Sequence, residues 1–132
     1  MRTVYILLCL VLLAASGCKK EKNMVDLLTG PTWKMKALIV NNQQELVHPC
    51  REDNTYRFFA DGSFVLNNGG NLCVEGEEVE MTGTWELTPN GRRMNIIYTG
   101  VNLTYDVLKI SADELEFQLV LDTATVREIY RP

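Results

Sequence analysis

No apolar run in the sequence is long enough to cross a membrane, histidine occurs once, and nothing resembles an extended basic patch. A spanning helix takes roughly 20 apolar residues. The run Val4–Ala15 stops short of that and gives way to Ser16-Gly17-Cys18 and the hydrated Lys19-Lys20-Glu21-Lys22. The single histidine, His48, has no Ser, Cys or carboxylate at a recognisable catalytic spacing, so nucleophilic and acid–base chemistry have nothing to build on. The expectation is a protein that is not an enzyme, with no metal and no cofactor. Thirteen basic residues stand against seventeen acidic ones, which disfavours nucleic acid as a partner.

What the N-terminus does contain is a secretion signal. Arg2 supplies the positive end, the apolar run follows, and small residues precede a cleavage point. Ala15-Ser16-Gly17-Cys18 resembles the bacterial lipobox, with Ala15 where Leu is usual. The resemblance implies acylation of Cys18 and its release as the first residue of the mature chain. Several acyl chains on one residue give stable anchoring, since each buried CH₂ contributes about 0.8 kcal/mol. Residues 1–17 thus read as signal, 18–26 as a lipidated tether and 27–132 as one domain. Loss of Arg2 brings the net charge to −5. Lys19 after Cys18 favours the outer membrane of the cell envelope by the enterobacterial sorting convention, with the face left open.

Export also makes the cysteines informative. Cys9 leaves with the signal and Cys18 carries lipid, so Cys50 and Cys73 remain and are expected to form a disulfide. A metal site there would draw on His48 alone as a further ligand.

Asn23–Leu28 reads as a short helix with Asn23 as N-cap and Gly30 past its end. From Trp33 onward the apolar period is two, broken by turn dipeptides. Eight strands are expected, at about 33–40, 55–60, 63–67, 81–87, 92–99, 103–110, 114–121 and 125–131. Trp33, Met35, Ala37 and Ile39 share a face of the first, Met81, Gly83, Trp85 and Leu87 of the fourth, and Leu115, Phe117, Leu119 and Leu121 of the seventh. Asp61-Gly62 marks a hairpin, and the polar stretch Asn41–Asn54 reads as loop. The last strand is ambiguous, because Val126 and Tyr130 oppose Ile129. Eight strands with one apolar face apiece leave two edges and a wet face unless the sheet closes, so an all-β, eight-stranded antiparallel up-and-down barrel is expected. A two-sheet sandwich is the alternative.

The pattern resembles the lipocalin-like domain family of small Bacteroidetes-type lipoproteins. The resemblance is carried by Leu28, Gly30 and Trp33, by Cys50, Asp53, Tyr56, Phe58 and Asp61-Gly62, and by Cys73 and Gly83-Thr84-Trp85. True lipocalins open with Gly-x-Trp, whereas Gly30-Pro31-Thr32-Trp33 is one residue longer, so the likeness is to the broader superfamily. Either Arg127 or Arg131 is a candidate to cover Trp33 by a cation–π contact.

The candidate ligand contacts on the inner face are Trp33, Tyr56, Phe58 and Phe64 from the first half and Trp85, Tyr98 and Phe117 from the second. No buried charge is expected among them. Glu75, Glu77, Glu78 and Glu80 read as a solvated acidic loop rather than a Ca²⁺ site. Asp122-Thr123-Ala124 resembles the Bacteroidetes O-glycosylation motif, making Thr123 a candidate acceptor. The leading function is a monomeric, membrane-anchored barrel binding a small hydrophobic ligand. The alternative is a solid barrel whose loops engage or inhibit an envelope protein or glycan.

Overall fold

The computed structural model describes residues 23–132. The expected signal segment, Cys18 and the start of the expected tether lie outside the described residues, among which no helix is long and apolar enough to cross a membrane. Helix α1, Met24–Thr29, starts where Asn23 Oδ1 accepts the Asp26 amide at 2.8 Å. Nine strands follow: β1 Thr32–Val40, β2 Gln43–Glu45, β3 Thr55–Phe58, β4 Ser63–Asn67, β5 Glu80–Leu87, β6 Arg93–Tyr98, β7 Val101–Ile110, β8 Leu115–Val120 and β9 Thr125–Arg131. All pair antiparallel, and β1 pairs with β9, closing an eight-stranded barrel to which β2 is a short appendage on β1.

Three expectations are corrected. The stretch Asn41–Asn54 is not all loop, because Asn41 and Asn42 take positive φ (50° and 65°) and turn the chain so that Val40 faces Gln43. Asparagine tolerates that region, and a two-residue turn of this hand suits strand twist. In β1, the pairing with β9 shifts between Met35 and Ala37, a bulge that resets the alternation. Leu38 and Val40 therefore lie opposite Glu128 and Val126 on the inner face, while Ala37 and Ile39 pair with the outward Ile129 and Arg127. Leu121 falls beyond the end of β8 and is exposed. The bulge also resolves β9, because Tyr130, opposite Met35, is buried.

Packing is concentrated at one end. Leu28, Trp33, Phe58, Phe64, Met94 and Leu115 are fully buried, and α1 sits over this end against β3 and β7. Trp33 Nε1 donates to the Leu28 carbonyl at 2.8 Å, so the helix C-terminus, rather than Arg127 or Arg131, covers the indole. Those arginines lie beside Glu116 and Glu114 instead. Trp85 meets Phe58 edge-on at 5.9 Å, and its Nε1 donates to the Phe59 carbonyl at 3.0 Å. Gly83 is required here: a Cβ would overlap the Ile97 carbonyl and come within 2.6 Å of the Phe64 ring.

Candidate ligand site at the open end of the barrel

Away from the helix, residues of β1, β3, β4, β5, β6, β7 and β9 surround a cavity of about 250 Å³. Its walls are of two kinds. Met35, Leu66, Met81 and Leu103 supply apolar surface, while Tyr56, Tyr98, Tyr105, Tyr130 and Glu128 supply polar groups. The rim is formed by Arg51, from the 3₁₀ turn Pro49–Arg51, and by the loop between β4 and β5 through Asn68, Cys73 and Glu77. Below it, a void of about 10 Å³ reaches toward Phe58, Leu115 and Phe117, room for about one water and no more.

Strand pairing explains why these side chains meet. Glu128 and Tyr130 are two residues apart in β9 and so point the same way. Tyr130 faces Met35 across the β1–β9 closure, and its ring meets Tyr56 edge-on at 5.5 Å. Tyr105 follows the inner face of β7 and packs on Phe117 at 5.5 Å. The Tyr130 hydroxyl donates to Glu128 Oε2 at 2.7 Å. Burial raises the Glu128 carboxyl above the ordinary 4.5, opposed by the Tyr130 hydrogen bond and by Arg51. Burial and the nearby Glu128 charge likewise push the Tyr56, Tyr105 and Tyr130 hydroxyls upward, so all three stay protonated at neutral pH.

The rim is held by covalent and polar links. Cys50 and Cys73 form a disulfide, joining the 3₁₀ turn to the β4–β5 loop. Asp53 Oδ2 accepts the Gly70 amide at 2.8 Å and the Asn71 amide at 3.3 Å, and the Gly70 contact holds the carboxyl below its usual range. A Cβ at Gly69, whose φ is 67°, would overlap that carboxylate. Asn68 is buried and donates to the Glu78 carbonyl at 2.8 Å. His48 Nδ1 lies 2.9 Å from Cys50 Sγ, but both sulfurs of this small cluster are committed to the disulfide.

Of the seven aromatic residues expected at a ligand, Tyr56 and Tyr98 line the cavity, and Phe58 and Phe117 border the small void beneath it. Trp33, Phe64 and Trp85 are packed into the closed end instead. Thr123 is exposed in the turn before β9, and Glu75, Glu78 and Glu80 are exposed. Sequence reasoning missed Glu128, Arg51, Tyr105 and Tyr130, and the expected absence of an inward charge is corrected by Glu128. Choosing Tyr130 over Ile129 as inward would have brought Glu128 with it, since the two share a face. Arg51 lies in an aperiodic segment that carries no such signal.

The fold and site together define a small lipocalin-like β-barrel, closed and packed at one end and hollow at the other. The lipocalin-like domain family matches residues 28–117, and the chain belongs to that family. Among solved structures, it resembles a lipocalin-like protein from Bacteroides uniformis, with a TM-score of 0.56 and 18% identity over 80% of this chain and 97% of the other. A DUF4847 family protein from Bacteroides vulgatus gives 0.55 and 12%, over 80% and 96%. At these identities the likeness concerns the fold. No curated protein matches the sequence.

Proposed function

We propose that this chain is a cell-envelope lipoprotein that carries a small amphipathic ligand in the open end of its barrel. The observation behind this reading is the cavity of about 250 Å³, lined by apolar side chains together with four tyrosines and the carboxyl groups of Glu128 and Glu77. A ligand of that character places its hydrocarbon on Met35, Leu66, Met81 and Leu103 and its polar end at Glu128. The hydrophobic ligand expected from the sequence thus acquires a polar end. Binding without catalysis is the proposed activity, and the lipocalin-like fold supports it.

Anchoring belongs to the same proposal. Cys18 and the preceding signal support attachment through lipid, with the outer membrane as the destination. Changing Cys18 to Ser should release the protein from the membrane fraction; retention there would contradict anchoring. Carriage is tested by native mass spectrometry of residues 19–132 purified from the host's envelope. A small-molecule adduct lost on denaturation is the expected result, and a bare mass after gentle purification in the presence of envelope extract counts against it.

A further inference from the structure

Two opposite charges look into one cavity without meeting. Glu128 lies on the barrel wall and Arg51 on the rim, and neither forms an ion pair among the described residues. The other carboxylate lining the cavity, Glu77 on the rim, accepts the Cys73 amide at 3.2 Å and is engaged in holding its own loop. A recessed carboxyl without a cationic partner is costly, because burial penalises its ionised form. Among the described residues, its one hydrogen bond to a side chain comes from the Tyr130 hydroxyl. The hydroxyls of Tyr98 and Tyr105 make no hydrogen bond to other described residues, leaving polar capacity facing the same space. Met35, Leu66, Met81 and Leu103 add hydrocarbon surface to the same cavity.

We infer that the cavity is built for a small zwitterion of amino-acid type, its ammonium seated on Glu128 among the tyrosines and its carboxylate on Arg51 at the rim. The inference rests on the carrier reading above and names the two polar ends of its ligand. An ammonium at Glu128 gives that carboxyl the partner the protein withholds, and the tyrosine rings around it add a cation–π surface. A carboxylate at the rim accepts the Arg51 guanidinium's paired donors. A fatty acid entering head-first would set carboxylate against carboxyl, and a plain hydrocarbon would leave both charges without partners.

The test is calorimetric titration of residues 19–132, which contain the whole closed sheet, with 4-aminobutyrate, 6-aminohexanoate and 8-aminooctanoate. Hexylamine, hexanoate and hexan-1-ol are the single-ended and neutral controls. At least one amino acid of the series should bind about ten-fold or more tightly than hexan-1-ol, in keeping with a charge-assisted hydrogen bond. Glu128→Gln should weaken the amino acid and hexylamine alike, whereas Arg51→Met should weaken the amino acid and leave hexylamine unchanged. Arg51 is exposed on its turn and Gln is nearly isosteric with Glu, so both variants retain the fold, which a melting curve verifies. Hexan-1-ol or hexanoate binding as tightly as every amino acid would overturn the zwitterion and leave the carrier reading standing. Silence from all six probes would overturn it too, and a native adduct in mass spectrometry would then tell whether carriage itself survives.

Discussion

Within β9, the Tyr130 hydroxyl donates to the Glu128 carboxylate at 2.7 Å, so the strand that closes the barrel also places an acid inside it. The two residues sit between a packed layer and an open one. Tyr130 is buried against Phe117 and Tyr56, while Glu128 lines the cavity together with Tyr56 and Tyr130. Closure of the sheet and construction of the site are thus one event in this fold.

The raised Glu128 carboxyl has a consequence for stability. It is faced by Tyr56 on β3, Tyr98 on β6, Tyr105 on β7, Tyr130 on its own strand and Arg51 on the rim. Because the folded value lies above the ordinary 4.5, the native state holds the proton more tightly than the unfolded chain does. The favourable contribution is complete below the unfolded value and is lost as pH rises through the folded one. Glu128→Gln removes this term, so the melting temperature of the variant minus that of the wild type should increase from acid toward neutral pH. A difference that stays flat across that range contradicts the assignment.

The Cys50–Cys73 disulfide closes a loop spanning 23 positions, worth about 3 kcal/mol in the chain-entropy model. Cys73→Ala should lower the melting temperature in oxidising buffer by roughly 10 to 20 °C for a domain of this size. An unchanged value would mean that the bond does not form. The same change frees the β4–β5 loop from the 3₁₀ turn, so hydrogen exchange should accelerate at Asn68–Glu78.

At the closed end, Trp33→Phe removes the donor that satisfies the Leu28 carbonyl and leaves a gap under α1. An orphaned buried acceptor costs about 1–3 kcal/mol, and the lost ring adds a cavity term. Urea unfolding should show a loss of about 3 kcal/mol. A change under 0.5 kcal/mol would show that α1 does not cap the barrel.

Thr99 sits at φ 36° in the two-residue turn from β6 to β7, followed by Gly100 at φ 77°. A β-branched residue is poorly suited to that region, at a cost of about 1 kcal/mol or more. Thr99→Asn should therefore raise the melting temperature by a few degrees, and a fall would show that the threonine makes a compensating contact.

Much of this architecture is written in alternation. Met94 and Ile96 on β6 and Leu115 and Phe117 on β8 are buried as a period of two requires. The last turn of the helix, the Asp61-Gly62 hairpin and the Cys50–Cys73 pair are equally local or countable. Legibility ended where geometry depends on a partner strand. The β1 bulge at Met35/Ala37 answers to β9 across the closure, and no residue in β1 announces it. The hollow end was obscured for a related reason: tyrosine is read as core by periodicity, and its hydroxyl declares a cavity only when the rings around it are placed. The tryptophans misled in the opposite direction, being the largest apolar side chains and therefore the ones used to fill the closed end.

The domain's four tyrosines, Tyr56, Tyr98, Tyr105 and Tyr130, all line the cavity, whereas its two tryptophans, Trp33 and Trp85, are both packed away from it. Fluorine NMR of residues 19–132 carrying 3-fluorotyrosine and 5-fluorotryptophan, titrated with host envelope extract, reads both ends at once. Saturable shifts of the tyrosine resonances, with the tryptophan pair unmoved, are the expected result. Shifts confined to the tryptophans, or no saturable change in either set, would contradict a ligand held in the open end of the barrel.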